Sequence, residues 1–412
     1  MSTLRGVRIN EGKIGANTLT DGREFGLMVG GVAVAGKLVL GQIYTFKRPS
    51  DAEAIGLNAA YDTTNDVRLY RHITEFYRVA GEGKTLNVCI VAKSNTPSAM
   101  VDAAKAMIIE RDNIADVVFA FNPETAYVET LVDGLNSDVK AAIPTLQTFA
   151  GWADTNDRPL NVILECRAIS DTLSALADLH ALTVGEAALL ADKVTLVCGQ
   201  DWDYADGLST LGKKFADVGT FLGNIASQAW NRNPGEVATQ NLTNATTGKW
   251  LTGGLSNHKK YSEVYASLEV MNGKGYVFPI KYTGIAGYYW NDGHTCTPVI
   301  LDVEGNLNQH TIYYGHTINM CKRALRTVFL PEVKKPIELV SGLLPDGMVG
   351  FYNAIGNDAF KFLAGKGLIS DGSASTDKQS DLLIDKVLNI QFAVVPTGCV
   401  NEIVGTINLK SN

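Results

Sequence analysis

A mixed α/β chain is predicted by three features of the sequence: short apolar runs rich in Val and Ile, helical periodicity in the segments between them, and Gly- or Asp-containing turns at the joins. Strands that alternate with helices imply a layered fold in which helices cover a sheet. The first apolar stretch, 27–46, carries Gly30, Gly31, Gly36, Lys37 and Gly41, so it divides into two strands joined near Gly36-Lys37 and does not form a membrane span. Ser50-Asp51-Ala52-Glu53 has the pattern of a capping box and predicts a short helix over 51–57. Tyr70, Ile73, Phe76, Tyr77 and Ala80 then recur at helical spacing, with Asn65 or Asp66 as the expected cap and Gly81 at the end. Leu86–Val91 reads as a buried strand.

The alternation continues. Helices are expected over 99–111, 126–151, 170–182 and 212–231, and strands over 117–121, 160–166 and 194–198. Residues 233–256, rich in Asn, Thr and Gly, read as a linker. Beyond them a helix is expected over 258–271, a strand over 275–282, and long helices over 309–328 and 351–364. Two closing strands follow, 387–395, stopped by Pro396, and 402–409. In the last, Ile403, Ile407 and Leu409 point one way, with Gly405 between them. At the other end 4–9 reads as a short strand on a polar, Gly-containing lead, which suits an arm. The expected organisation is therefore multidomain: 1–25 an N-terminal arm, 26–255 an α/β body, 256–398 a C-terminal α+β body, and 399–412 a C-terminal strand.

Composition narrows the function. The chain has 412 residues, 46% of them hydrophobic and 19% charged, with a net charge of -7 and a pI near 5.5. Such an acidic balance argues against nucleic-acid binding, which needs clustered Lys and Arg to replace phosphate counterions. The six cysteines form no CxxC pair, and Cys89, Cys166 and Cys198 sit inside apolar runs, as reduced core thiols do. The first residues lack the basic-then-apolar pattern of a signal peptide.

No motif points to catalysis or a cofactor. Arg78–Thr85 ends in Gly-Lys-Thr, but its first position is Arg and the order is helix then strand, so no helix N-terminus would face a phosphate. Asp292, His294 and Cys296 fall short of a converging metal-ligand set. His310 and His316, six apart, fall on different helix faces. Asp201 and Asp203 follow a strand beside Gly199 and Trp202 and read as a turn. Trp202, Trp230, Trp250 and Trp290 are not interleaved with Lys or Arg as a base-stacking surface would require. No cofactor, metal or catalytic residue is expected.

Two regions together resemble contractile tail sheath proteins of bacteriophages, R-type pyocins and type VI secretion-like machines. One is the succession Leu40–Phe46, Ser50–Gly56, Val67–Ala80, Gly81-Glu82-Gly83 and Leu86–Val91. The other joins Gly287–Asp292, the long helix with Asn319, Arg323 and Arg326, and the ending Val387–Pro396 with Asn401–Ile407. The resemblance implies a structural subunit that stacks with copies of itself in six-fold rings around an inner tube. It also implies baseplate and tail-terminator partners, assembly in a bacterial cytoplasm, and no nucleic acid or membrane insertion. It further implies linkage by β-augmentation, in which an N-terminal strand (Leu4, Val7, Ile9) and a C-terminal strand (Ile403, Gly405, Ile407, Leu409) complete a sheet on neighbours. The 256–398 body would face the tube, with Asp358, Lys361 and Lys366 as the candidate contacts. The rival readings are another particle-assembly protein, a cytoplasmic α/β enzyme, or a monomeric module whose termini fold back on themselves.

Overall fold

Five of the predicted apolar runs come together side by side in one sheet. The computed structural model describes residues 22–410. Its strands β1 (Glu24–Gly31), β2 (Ile43–Phe46), β3 (Thr85–Ala92), β4 (Ile114–Ala120), β5 (Asn161–Glu165) and β6 (Val194–Val197) lie in the order β6-β5-β4-β1-β3-β2. All neighbours are parallel except β2, which runs antiparallel to β3 at one edge. Central strands of this kind are covered on both faces, which is why Leu86–Val91 and Val117–Ala120 read as unbroken apolar runs.

One face is covered by α4 (Val101–Glu110) and α5 (Ser137–Thr155), which pack Met107, Ile143, Leu146 and Phe149 onto Met28, Phe119 and Leu164. The other is covered by α3 (Leu69–Ala80) together with a helix over Val218–Ser227, through Ile73, Phe76, Phe221 and Leu222. Gly219 and Gly223 let those two helices touch: a Cβ at Gly219 would lie 2.4 Å from the His72 carbonyl oxygen. Residues 255–296 are part of this same body, because Leu255, Leu268, Met271, Tyr276, Phe278 and Cys296 join the first core. The boundary expected at 255 falls inside this packing.

Several local expectations are corrected. β1 and β2 are joined through the turn at Gly36 (φ 70°), yet β3 lies between them. The first short helix, α1 (Pro49–Ala54), starts at Pro49, so Asp51 rather than Glu53 reaches back, accepting from the amides of Lys47 (2.9 Å) and Arg48 (3.2 Å). Asp66 ends α2 (Ala59–Asn65) in the left-handed region, and the carboxylate of Asp62 caps α3 by accepting from Tyr70 (3.0 Å) and Arg71 (2.9 Å). The helix expected over 170–182 is only a single 3₁₀ turn at Leu173–Ala175. Leu173, Leu176, Leu179 and Leu182 are all buried, but a strict period of three fits a three-residue turn better than an α-helix. Helix 126–151 begins only at Ser137, and the 258–271 helix breaks into Tyr261–Val264 and Leu268–Gly273.

A smaller body is built from α6 (Ile312–Phe329), α7 (Asp346–Gly365) and the antiparallel pair β7 (Asp371–Thr376) and β8 (Ile390–Val395). α6 bridges the two bodies. Its first half packs Ile312 in the larger core, and its second half supplies Met320, Cys321 and Ala324 to a small third core with Phe360, Leu363 and Ile369. Among the described residues, no helix is long and apolar enough to cross a membrane.

Candidate assembly site

α7 exists to hold β7 in place. Its buried stripe is Tyr352, Gly356, Ala359, Phe360 and Leu363. Gly356 brings the helix down on the strand, since a Cβ there would sit 2.5 Å from that of Ala374. Asn353 and Asn357 on the same face accept the amides of Thr376 (2.7 Å) and Ala374 (2.8 Å). These two bonds use amides that the β8 ladder leaves free. Even so, the sheet has two strands only, and such a pair is marginal in water unless completed or covered. Beside β8, Leu330, Val333, Leu383, Ile384 and Val387 are exposed.

The C-terminal tail leaves β8 at Pro396 and crosses toward the larger body. Residues from 402 to 410 form no strand in the described chain. Ile403, Ile407 and Leu409 are 89%, 95% and 101% exposed, and a Cβ added at Gly405 would meet nothing. The closing strand expected over 402–409 is thus unpaired here, for the physical reason that a strand needs a ladder partner. Leu4, Val7 and Ile9 lie outside the described residues. Asp358 and Lys361 sit together on the open face of α7, 3.3 Å apart, and Lys366 follows the helix end with its ammonium 4.5 Å from the Phe362 ring. Lys361 and Asp358 are so exposed that their pair adds little to stability.

α6 is tied to the lower ends of the sheet strands by the residues that the sequence singled out. Arg323 donates to the carbonyls of Ile114 (2.7 Å) and Pro159 (3.0 Å), and Arg326 pairs with Asp157 (2.8 Å). Asn319 accepts from Lys193 (3.2 Å), whose pKa burial lowers to about 8. His316, expected to be an ordinary helix position, is buried with its Nε2 2.6 Å from Asp116.

At the upper ends of β1 and β4, where an open parallel sheet commonly leaves a ligand crevice, arginines fill the space. Arg68 and Arg167 are both buried. Asn122 accepts the Arg68 amide (3.2 Å) and donates to the Gly30 carbonyl (2.9 Å), and Arg167 reaches the Phe121 carbonyl (3.4 Å). Glu165 accepts the amides of Phe121 (2.6 Å) and Ala216 (3.0 Å), and burial, only partly countered by Arg167, raises its pKa to about 7. Beside this lies a network that spacing alone could not reveal. Arg71 pairs with Asp217 (2.9 Å), Asp201 (3.1 Å) and Glu75 (3.6 Å), all buried. Burial works against these charges, but Arg71 and Arg78 together hold Glu75 down at about 2. Asp201 is therefore an ion-pair partner rather than a turn residue, and Asp203 accepts the Thr252 amide (2.9 Å). His72, pressed by burial and by Arg71, falls to about 3 and is neutral. The tryptophans are also less isolated from cations than their spacing suggested: Lys260 lies 4.1 Å from the Trp202 ring and Arg23 4.8 Å from that of Trp230. The Gly-Lys-Thr segment is a turn from α3 into β3, with Gly81 and Gly83 at positive φ.

The comparisons with known proteins agree with this architecture. The chain belongs to the DUF2586 family, whose N-terminal domain model matches residues 6–294, well over half of the sequence. A search of curated protein sequences finds no match. Among solved structures, the chain is similar to a chain of the anti-feeding prophage baseplate, symmetrised six-fold, at a TM-score of 0.60 and 11% identity over 100% of both chains. It is similar to the helical sheath of the same particle in its contracted state at 0.59 and 11%, over 99% of both. It is similar also to the contracted sheath complex of the extracellular contractile injection system PVC at 0.57 and 10%, over 100% of this chain and 99% of that one. The protein therefore has the mixed α/β fold of contractile sheath subunits.

Proposed function

We propose that the protein is a structural subunit of a contractile sheath, polymerising in stacked six-fold rings around an inner tube and driving that tube outward when the lattice contracts. The observation that carries this reading is the mismatch within one chain: a two-strand sheet whose β8 edge has no strand beside it, and a tail of spaced apolar residues with nothing to pair with. β-Augmentation between copies satisfies both at once. Leu4, Val7 and Ile9 would supply a second strand from another neighbour. The body built on α7 would face the tube, with Asp358, Lys361 and Lys366 at the contact, and baseplate and terminator proteins would close the ends. Assembly would take place in a bacterial cytoplasm, before the particle acts as a virion tail or injection device. The work would come from a rearrangement between two packings, with no catalytic residue or cofactor. The arginine-filled crevice above β1 and β4 supports a structural rather than an enzymatic role.

Negative-stain microscopy of the purified protein tests the proposal: striated cylinders are expected, whereas only discrete small oligomers would favour another assembly component. Deleting 406–412 or 1–10 should leave a folded, soluble subunit that forms no tubes; a truncated chain that still builds tubes of normal length would overturn the linked-arm mechanism.

A further inference from the structure

The tail does not leave the subunit at the end of β8. Ser370 donates to the Pro396 carbonyl (2.9 Å), and Asn231 donates to both Thr397 Oγ1 and the Gly367 carbonyl (2.9 Å each). Two residues on, Asn233 Nδ2 lies 3.6 Å from the Cys399 sulfur and donates to Asp292 Oδ1 (2.7 Å). The other oxygen of Asp292 accepts from Asn401 (3.0 Å). Asp292 is itself buried and further fixed by the Gly293 amide (2.7 Å), so the anchor is rigid. The segment 397–401 is thus tied by polar groups to the loop 231–233 and to Asp292 of the larger body. It gains almost no apolar burial, as Val400 is 76% exposed. The bonds on the tail side are exposed or only partly buried, where water can replace them, so the tie can be undone without unfolding the anchor.

We infer that Asn231, Asn233 and Asp292 form a releasable latch that holds residues 397–401 against the free subunit, and that a neighbouring copy opens it on joining the lattice. The inference rests on the sheath reading for its purpose. Closed, the latch starts the linking arm at 402. Open, it adds five residues, roughly 17 Å of extended chain, and frees the strand to reach its partner. Nothing else in the fold has to move, since the tail carries no core residue.

The native Cys399 makes the latch testable, because it is exposed while the other five cysteines are buried. Asn233→Cys places a second thiol beside it. Under mild oxidation the free subunit should form the 233–399 disulfide rapidly, and adding Asn401→Ala should slow this at least fivefold with an unchanged thermal midpoint. An oxidation rate indifferent to Asn401→Ala overturns the latch, and this readout needs no polymer. In assembly, oxidised Asn233→Cys subunits should fail to enter tubes until a reductant is added; oxidised subunits that build normal tubes overturn the proposed release. If the wild-type protein forms no tubes while the oxidation contrast persists, the sheath reading and the release by a neighbouring copy fall together, and only the tie of 397–401 to the body stands.

Discussion

The larger body and the smaller one solve opposite problems. Around the six-strand sheet, two large cores and the Arg71 network bury apolar and charged groups together. Around β7 and β8, a core of a few side chains sits beside the uncovered edge of β8 and exposed Leu330, Leu383 and Ile384. The contrast teaches that the first body encloses its own strands, while the second leaves a strand edge and apolar side chains uncovered. A parallel sheet flanked by helices can bury its strands on both faces, whereas a two-strand ribbon on one helix cannot.

Mutations can break that contrast or sharpen it. The largest effect is expected from Arg71→Ala, which leaves the buried carboxylates of Asp201 and Asp217 without their cation and Glu75 with Arg78 alone; a loss of about 3–5 kcal/mol is expected, seen as a collapse of the main denaturation transition. Phe360→Ala should cost about 3 kcal/mol, but in the smaller body alone: hydrogen exchange should rise over 346–395 while β1, β3 and β4 stay protected. Loss of protection across both would show that the bodies unfold as one unit.

Glu165→Gln probes the larger body through pH. The native fold raises the Glu165 pKa from an ordinary 4.5 to about 7, so it favours the protonated form. As pH rises from 4.5 to 7 the wild type should therefore lose on the order of 2–3 kcal/mol more than the Gln variant, which keeps only the contributions of buried Asp62 and Asp217. Parallel pH profiles of the thermal midpoint would contradict the assignment. The smallest effect on folding should come from Ile403→Asp with Ile407→Asp, under about 0.5 kcal/mol because both side chains are already in water. The same pair should abolish tube formation by microscopy; tubes of wild-type length would remove the tail from the linkage.

Much of this architecture was legible in advance. β3, β4, β5 and β6 and helices α3, α6 and α7 follow from period and from apolar runs, because each carries its own burial pattern. The helix expected over 170–182 went wrong where apolar spacing was ambiguous, and the cap of α3 went wrong because Asp62 lies in the preceding helix, brought near only by the turn at Asp66. The candidate arm residues at 403–409 were visible as alternation, and the resemblance implied that their partner would lie on a neighbouring copy.

Local patterning thus specified which segments become strands and helices, that the sheet would be layered, and that Gly-Lys-Thr would be a turn. It did so because propensity and periodicity act over a few residues. Strand order, the insertion of β3 between β1 and β2, the meeting of Arg71 with the distant Asp201 and Asp217, and the tie between Asp292 and Asn401 were settled by the folded chain. These contacts join residues tens to more than a hundred positions apart, and only packing in three dimensions selects among the many pairings that local chemistry allows.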